Sequence, residues 1–150
     1  MKTIIGQNAF LTKFKYSKVL TPRQYEIIEL EDKVAALKAK EAGEPVPATN
    51  PIRTLKRNQR VTGCYIMFGN KDEKGMRDIV ADTFVVNHPD ETFERSEGRK
   101  RAFEKSLDVL FCSPMLLRLL DIPDAEVARR QFIDDFNAER GKKVIRYTKG

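Results

Sequence analysis

The sequence predicts an α+β fold, a single compact domain with a central β-hairpin or small antiparallel sheet packed by about four helices. Three observations predict it. Two neighbouring stretches, Val61 to Phe68 and Ile79 to Val86, are rich in β-branched and aromatic residues. Before and after that pair, apolar residues recur at three- and four-residue steps, the spacing of one helix face. Pro and Gly fall at the boundaries between these segments. At 150 residues, with 41% hydrophobic and 33% charged content, the chain is the size of one globular domain with a heavily charged surface.

Residues 1–20 carry Lys2, Lys13, Lys15 and Lys18 without a continuous hydrophobic run, so no signal peptide is expected. No apolar stretch approaches the roughly 20 residues that cross a bilayer. Thr21, Pro22 and Gln24 form a helix start: Thr caps an orphan amide, Pro suits the first helical position and Gln returns the capping-box bond. The spacing predicts a helix to about Lys40, with Ile27, Leu30, Val34 and Leu37 on one face and Glu29 paired with Lys33 outside it. That face is expected to pack on its own domain, with a homodimer through the Ile27 to Leu37 helix as the alternative.

Residues 43–58 are read as a Pro-rich loop followed by a basic stretch, because Gly43, Pro45, Pro47 and Pro51 remove donors and favour extended backbone. A hairpin and helix core follows over 59–112, its turn spanning Gly69 to Gly75. In the second arm Val80, Asp82, Phe84 and Val86 share one face, and Ile79, Ala81, Thr83 and Val85 the other, so packing is expected on both sides. After Pro89, Asp90 or Thr92 is expected to cap a helix bearing Phe103, Leu107 and Leu110 and ending near Cys112. Residues 113–150 form a helical C-terminal part. Ser113 and Pro114 open a short helix whose Leu116, Leu117, Leu119 and Leu120 belong in a core or interface. A last helix carries Ala125, Ala128, Phe132 and Phe136 and stops at Gly141, and Val144 to Thr148 can add an edge strand.

Charge narrows the partners. The chain has 28 Lys and Arg against 22 Asp and Glu, a net charge of +6, which suits an acidic partner. Between Glu44 and Asp72 there is no acidic residue, whereas Arg53, Lys56, Arg57, Arg60 and Lys71 all lie there. After Glu139 the tail holds Arg140, Lys142, Lys143, Arg146 and Lys149 with no acid.

Catalytic and metal chemistry find little support. Cys64 and Cys112 form no CxxC pair and are expected to be buried, reduced thiols, with the cytoplasm as the favoured compartment. His88 is the single histidine, and HxxxH and HExxH are absent. The carboxylates Asp78 and Asp82, and Asp134 and Asp135, are expected to be solvated rather than acid-base or Mg²⁺ groups. No glycine loop cradles a phosphate, and no cofactor is expected.

Helical geometry separates the cations near residue 100. Arg101 is placed to pair with Glu97 and Glu104, and Lys105 with Asp108. Arg95 and Arg99 stack at a like-charge spacing with only Glu91 in reach, so they are the candidate binding pair, unless their stems merely cover apolar surface. Gly98 costs roughly 1 kcal/mol inside a helix relative to Ala, so a close approach, to the hairpin or to a ligand, is expected there.

The block Pro89, Phe93, Arg95, Gly98, Arg99, Ala102 and Leu107, preceded by VVNHP, resembles small bacteriophage proteins of uncharacterised function over about Arg60 to Leu110. In those proteins a P-x-x-x-F-x-R-x-x-G-R-x-x-A block follows two strands. Members usually carry basic or polar residues where this chain has Glu91 or Glu97. The resemblance implies a phage origin, hence the host cytoplasm, and action by binding. HPD at 88–90 also resembles the J-domain signature, but the residues before it read as a strand where a J-domain has a basic helix.

The expected function is that of a non-enzymatic phage-type protein contacting nucleic acid or a nucleoprotein complex. The expected nucleic-acid-binding residues are Arg53, Lys56, Arg57, Arg60, Arg95 and Arg99, with Tyr65, Phe68 and Tyr147 able to stack on bases. A hairpin followed by a basic helix start is shared with shape-reading RNA binders. The alternative is a phage inhibitor of a host protein complex, in anti-defence or host takeover, acting by protein contact through the amphipathic first helix and the apolar segment 115–122.

Overall fold

In the computed structural model, described for residues 1–46, 55–69 and 78–139, four antiparallel strands lie in the order β1-β2-β3-β4. They are β1 (Lys2–Ile5), β2 (Asn8–Ser17), β3 (Val61–Phe68) and β4 (Asp78–Val86). Four helices accompany them: α1 (Pro22–Glu41) between β2 and β3, then α2 (Arg95–Phe111), α3 (Pro114–Leu119) and α4 (Ala125–Glu139). This is the expected α+β domain. The expected Val144 to Thr148 strand, the basic tail from Arg140 and most of the 69–75 turn lie outside the described residues.

The first hairpin, β1 and β2, was not anticipated from the sequence. Its turn is Gly6 and Gln7, closed by the pairing of Ile5 with Asn8, and Gly6 adopts the left-handed φ of 62° that such tight turns need. In β2 the residues Phe10, Thr12, Phe14 and Tyr16 stand opposite Phe68, Ile66, Cys64 and Thr62 of β3 and so share one face of the sheet. That face carries the core. Phe10, Cys64, Ile66 and Ala81 pack under Ala102, Phe103, Leu107 and Leu110 of α2 and Ala128, Phe132, Ile133 and Phe136 of α4. Phe103 and Phe136 stack with centroids 4.7 Å apart, and Phe10 meets Phe132 edge-on at 5.4 Å.

Gly98 accounts for how closely α2 lies on the sheet. A Cβ there would stand 2.5 Å from Thr62 Oγ1, so the close approach expected of this glycine is to the hairpin. A buried polar chain runs beside it. Thr83 Oγ1 and Ser106 Oγ lie 2.6 Å apart, with Ser106 reaching the Cys64 carbonyl and Thr83 the Ala102 carbonyl, both at 3.1 Å. These bonds satisfy hydroxyls that would otherwise be costly to bury.

Several expectations need correction. The helix after Pro89 begins at Arg95 with Glu94 as its cap residue, and neither Asp90 nor Thr92 caps it. The Glu91 carbonyl accepts bonds from Asn58 Nδ2 and Asn87 Nδ2, which hold this segment in a turn and delay the helix. The expected two-sided burial of β4 holds only in part, because a bulge opposite Ile66 and Met67 shifts the alternation. Val80 turns to the core, whereas Ile79 is 57% exposed. In α3, Leu116 and Leu117 pack against the core, but Met115 and Leu119 project into solvent.

Helix α1 has the predicted capping box: Gln24 N–H donates to Thr21 Oγ1, and Thr21 N–H to Gln24 Oε1. Its packing differs from expectation. Tyr25, Ile27 and Ile28 join Leu20, Val61, Phe84 and Val86 in a small cluster on the other face of the sheet. Leu30, Val34 and Leu37, expected against the domain, are exposed.

Candidate nucleic-acid interface

The face of the sheet opposite α2 and α4 is only partly covered. The cluster around Val61, Phe84 and Val86 takes the end where α1 begins. The rest, on β1, β2 and β3, lies open. Register places Lys2, Leu11 and Met67 in one row across it, and Lys13, Tyr65 and Asp82 in the next. Lys15 follows, opposite Gly63, with its Nζ 5.3 Å from the Tyr65 ring centroid. Lys2, Lys13 and Lys15 are exposed, and Tyr65 is half-buried between them. Asp82 is the carboxylate of these rows. The Lys15 ammonium lies over the Tyr65 ring, so the arrangement is an aromatic side chain capped on one side by a cation, able to take a planar base where Lys15 gives way and anionic groups at the lysines. The signal in the sequence is the alternation FLTKFKYS, which sends Lys13 and Lys15 to the side opposite Phe10, Phe14 and Tyr16.

The expected site residues divide among other places. Arg95 and Arg99 do come together, but on Tyr16 of β2. The Arg95 guanidinium lies 4.6 Å from the Tyr16 ring centroid, and Arg99 Nε donates to the Tyr16 hydroxyl while its guanidinium sits 5.7 Å from Phe14. This contact offsets the unfavourable placement of cations at the positive end of α2. Glu91, expected beside Arg95, instead faces Arg101 at 3.5 Å, and Arg101 also meets Glu97 at 3.3 Å as expected.

Arg60 is spent on its own turn, its Nη1 donating to the carbonyls of Arg57 at 2.8 Å and Gln59 at 2.7 Å. Lys56 and Arg57 are exposed on that turn, at the sheet end where β2 finishes and β3 begins. Arg53 lies outside the described residues, as do Lys71 and Tyr147. Phe68 is unavailable for stacking on a ligand, since it packs on Phe10 at 5.2 Å.

Other candidates are accounted for locally. Lys105 does not pair with Asp108: its Nζ reaches past the edge of the sheet to the Phe84 carbonyl at 3.2 Å and to Glu31 of α1 at 3.5 Å. Asp108 pairs with Arg129 at 2.6 Å. Cys64 is buried and Cys112 exposed, correcting the expectation that both are buried, and both are free. Burial pushes the Cys64 thiol up to about 12, outweighing the lowering by its bond with Ser106. His88 is exposed and accepts from the Asp90 N–H, 3.2 Å away, in a turn after β4 rather than after a helix. Asp78, Asp82 and Asp134 are exposed, and Asp135 accepts from Gln131. Among the described residues no group of three His, Cys, Asp or Glu side chains could hold a metal ion, and no helix is long and apolar enough to cross a membrane.

Compared with family models, curated proteins and solved structures, the chain gives no match.

Proposed function

We propose that this is a small, non-enzymatic, phage-type binding protein that takes nucleic acid, free or exposed in a host nucleoprotein complex, on the open face of its sheet. One observation carries the reading: Tyr65 sits half-exposed on that face, opposite Lys13 and under the Lys15 ammonium. Stacking requires an unpaired base, so single strands are the favoured form. Lys2, Lys13 and Lys15 follow the backbone, and Lys56, Arg57 and Arg95 supply further phosphate contacts at the sheet end. Because those contacts release counterions, binding should weaken steeply with salt.

A second reading has its own support. Ile4 and Ile79 are each 57% exposed on the same face as Leu11 and Met67, an apolar strip suited to a host protein surface. In that case the protein acts as an inhibitor of a host complex by protein contact.

Titrating labelled single-stranded and duplex oligonucleotides between about 50 and 200 mM salt separates the two readings. The nucleic-acid reading expects tighter binding to the single strand, falling with salt. No binding to either at low salt, with a host partner retained from lysate after nuclease treatment, would establish the protein-contact reading in its place.

A further inference from the structure

Among the described residues nothing covers the outward face of α1, which is an apolar seam. Leu30 is 60% exposed, Val34 48% and Leu37 61%; Leu30 and Val34 line an open groove along the helix with Ile27, Ala35, Glu31 and Lys38. The helix meets the domain on its opposite side through Tyr25 and Ile28, and Ile27 lies at the border, packing partly on the domain. The question is which partner fits the seam.

Charge along the helix answers it. The first half carries Glu26, Glu29, Glu31 and Asp32, and the second half Lys33, Lys38 and Lys40. The seam itself continues at both ends with a charged residue, because Arg23, Ile27, Leu30, Val34, Leu37 and Glu41 follow one another at alternating four- and three-residue steps. We propose that α1 pairs with α1 of a second copy of this chain, antiparallel, about a two-fold axis near residue 32. In that register Ile27 faces Leu37 of the other copy, Leu30 faces Val34, and Arg23 faces Glu41. The acidic half of each helix then lies along the basic half of the other. Parallel pairing sets Arg23 on Arg23, Glu41 on Glu41, and like halves together, which is destabilising.

The seam is self-complementary in one orientation only, and that is the property of an isologous interface. A helix of 20 residues spans about 30 Å, enough for two heptads, so the dimer should be reversible and concentration-dependent. Pairing here uses none of the side chains of the Tyr65 face, and it stands or falls independently of the nucleic-acid reading.

Light scattering on the full chain over a wide concentration range, with the variant V34E beside it, tests the seam. The expected result is a monomer-dimer equilibrium in the parent and a monomer in V34E with unchanged circular dichroism. Orientation is read by oxidation of R23C and E41C, each in a C112S background that removes the exposed thiol. Mixed together they should form the disulfide-linked dimer, and each alone should not. A parent that is monomeric throughout, a V34E protein that still dimerises, or R23C cross-linking to itself would each overturn the proposal.

Discussion

Gly98 is where one missing methyl sets the spacing between helix and sheet. Gly98→Ala drives a Cβ against Thr62, and overpacking of this kind costs about 1–3 kcal/mol, reduced by about 1 kcal/mol of helix propensity. A net loss of up to about 2 kcal/mol in urea unfolding is expected, and Thr62→Ala in the same chain should recover part of it. Cys64 gives a pH prediction. Its thiol is held protonated in the folded state up to about 12 but ionises near 9 when exposed, so the folded chain retains a proton the unfolded chain has lost. Stability should therefore fall as pH rises from about 9 to about 12, and C64A should lack that part of the slope. The reason for Gly98 was legible in the sequence, because a helix glycine signals close approach. The partner of Lys105 was not: it lies 74 residues away on α1, and a local pairing rule finds only Asp108.

Among the elements, α1 shows most clearly what local signals can and cannot say. Its capping box was legible to the atom, since every participant lies within three residues. Thr21→Ala should cost about 1 kcal/mol. Because the cap bonds are exposed, that loss should appear as faster hydrogen exchange in the first turn of α1, with little change in global unfolding. Which way the apolar stripe faces depends on Val61 and Phe84, distant in sequence, and periodicity is silent on that. The β1–β2 hairpin was legible but passed over: the lysines that argue against a signal peptide are the outward half of a period-two pattern. The bulge in β4 left no mark in the alternation, since Ile79 and Val80 are equally apolar.

At the scale of the molecule, the described residues gather cations at two places, the Tyr65 face and the sheet end bearing Lys56, Arg57, Arg95 and Arg99, although the positive excess of the chain falls on residues outside the described ranges. The sequence pointed to the second because its cations are consecutive or one helical turn apart. It could not show that Arg60 bonds its own turn or that Arg99 is held by Tyr16. The open face emerges only when β2 and β3 are brought into register, placing Lys13, Lys15 and Tyr65 together. Stacking on a tyrosine contributes about 1–3 kcal/mol per base, so Tyr65→Ala should weaken single-strand binding by roughly 5- to 150-fold. Lys13→Ala with Lys15→Ala should also flatten the dependence on salt by up to two phosphate contacts. The most direct measurement is the affinity of the parent for a labelled single strand against that of Y65A and of the sheet-end variant K56A/R57A/R95A, at one low salt concentration. The larger loss is expected in Y65A; binding unchanged in Y65A but abolished in the sheet-end variant would contradict the assignment of the open face as the interface.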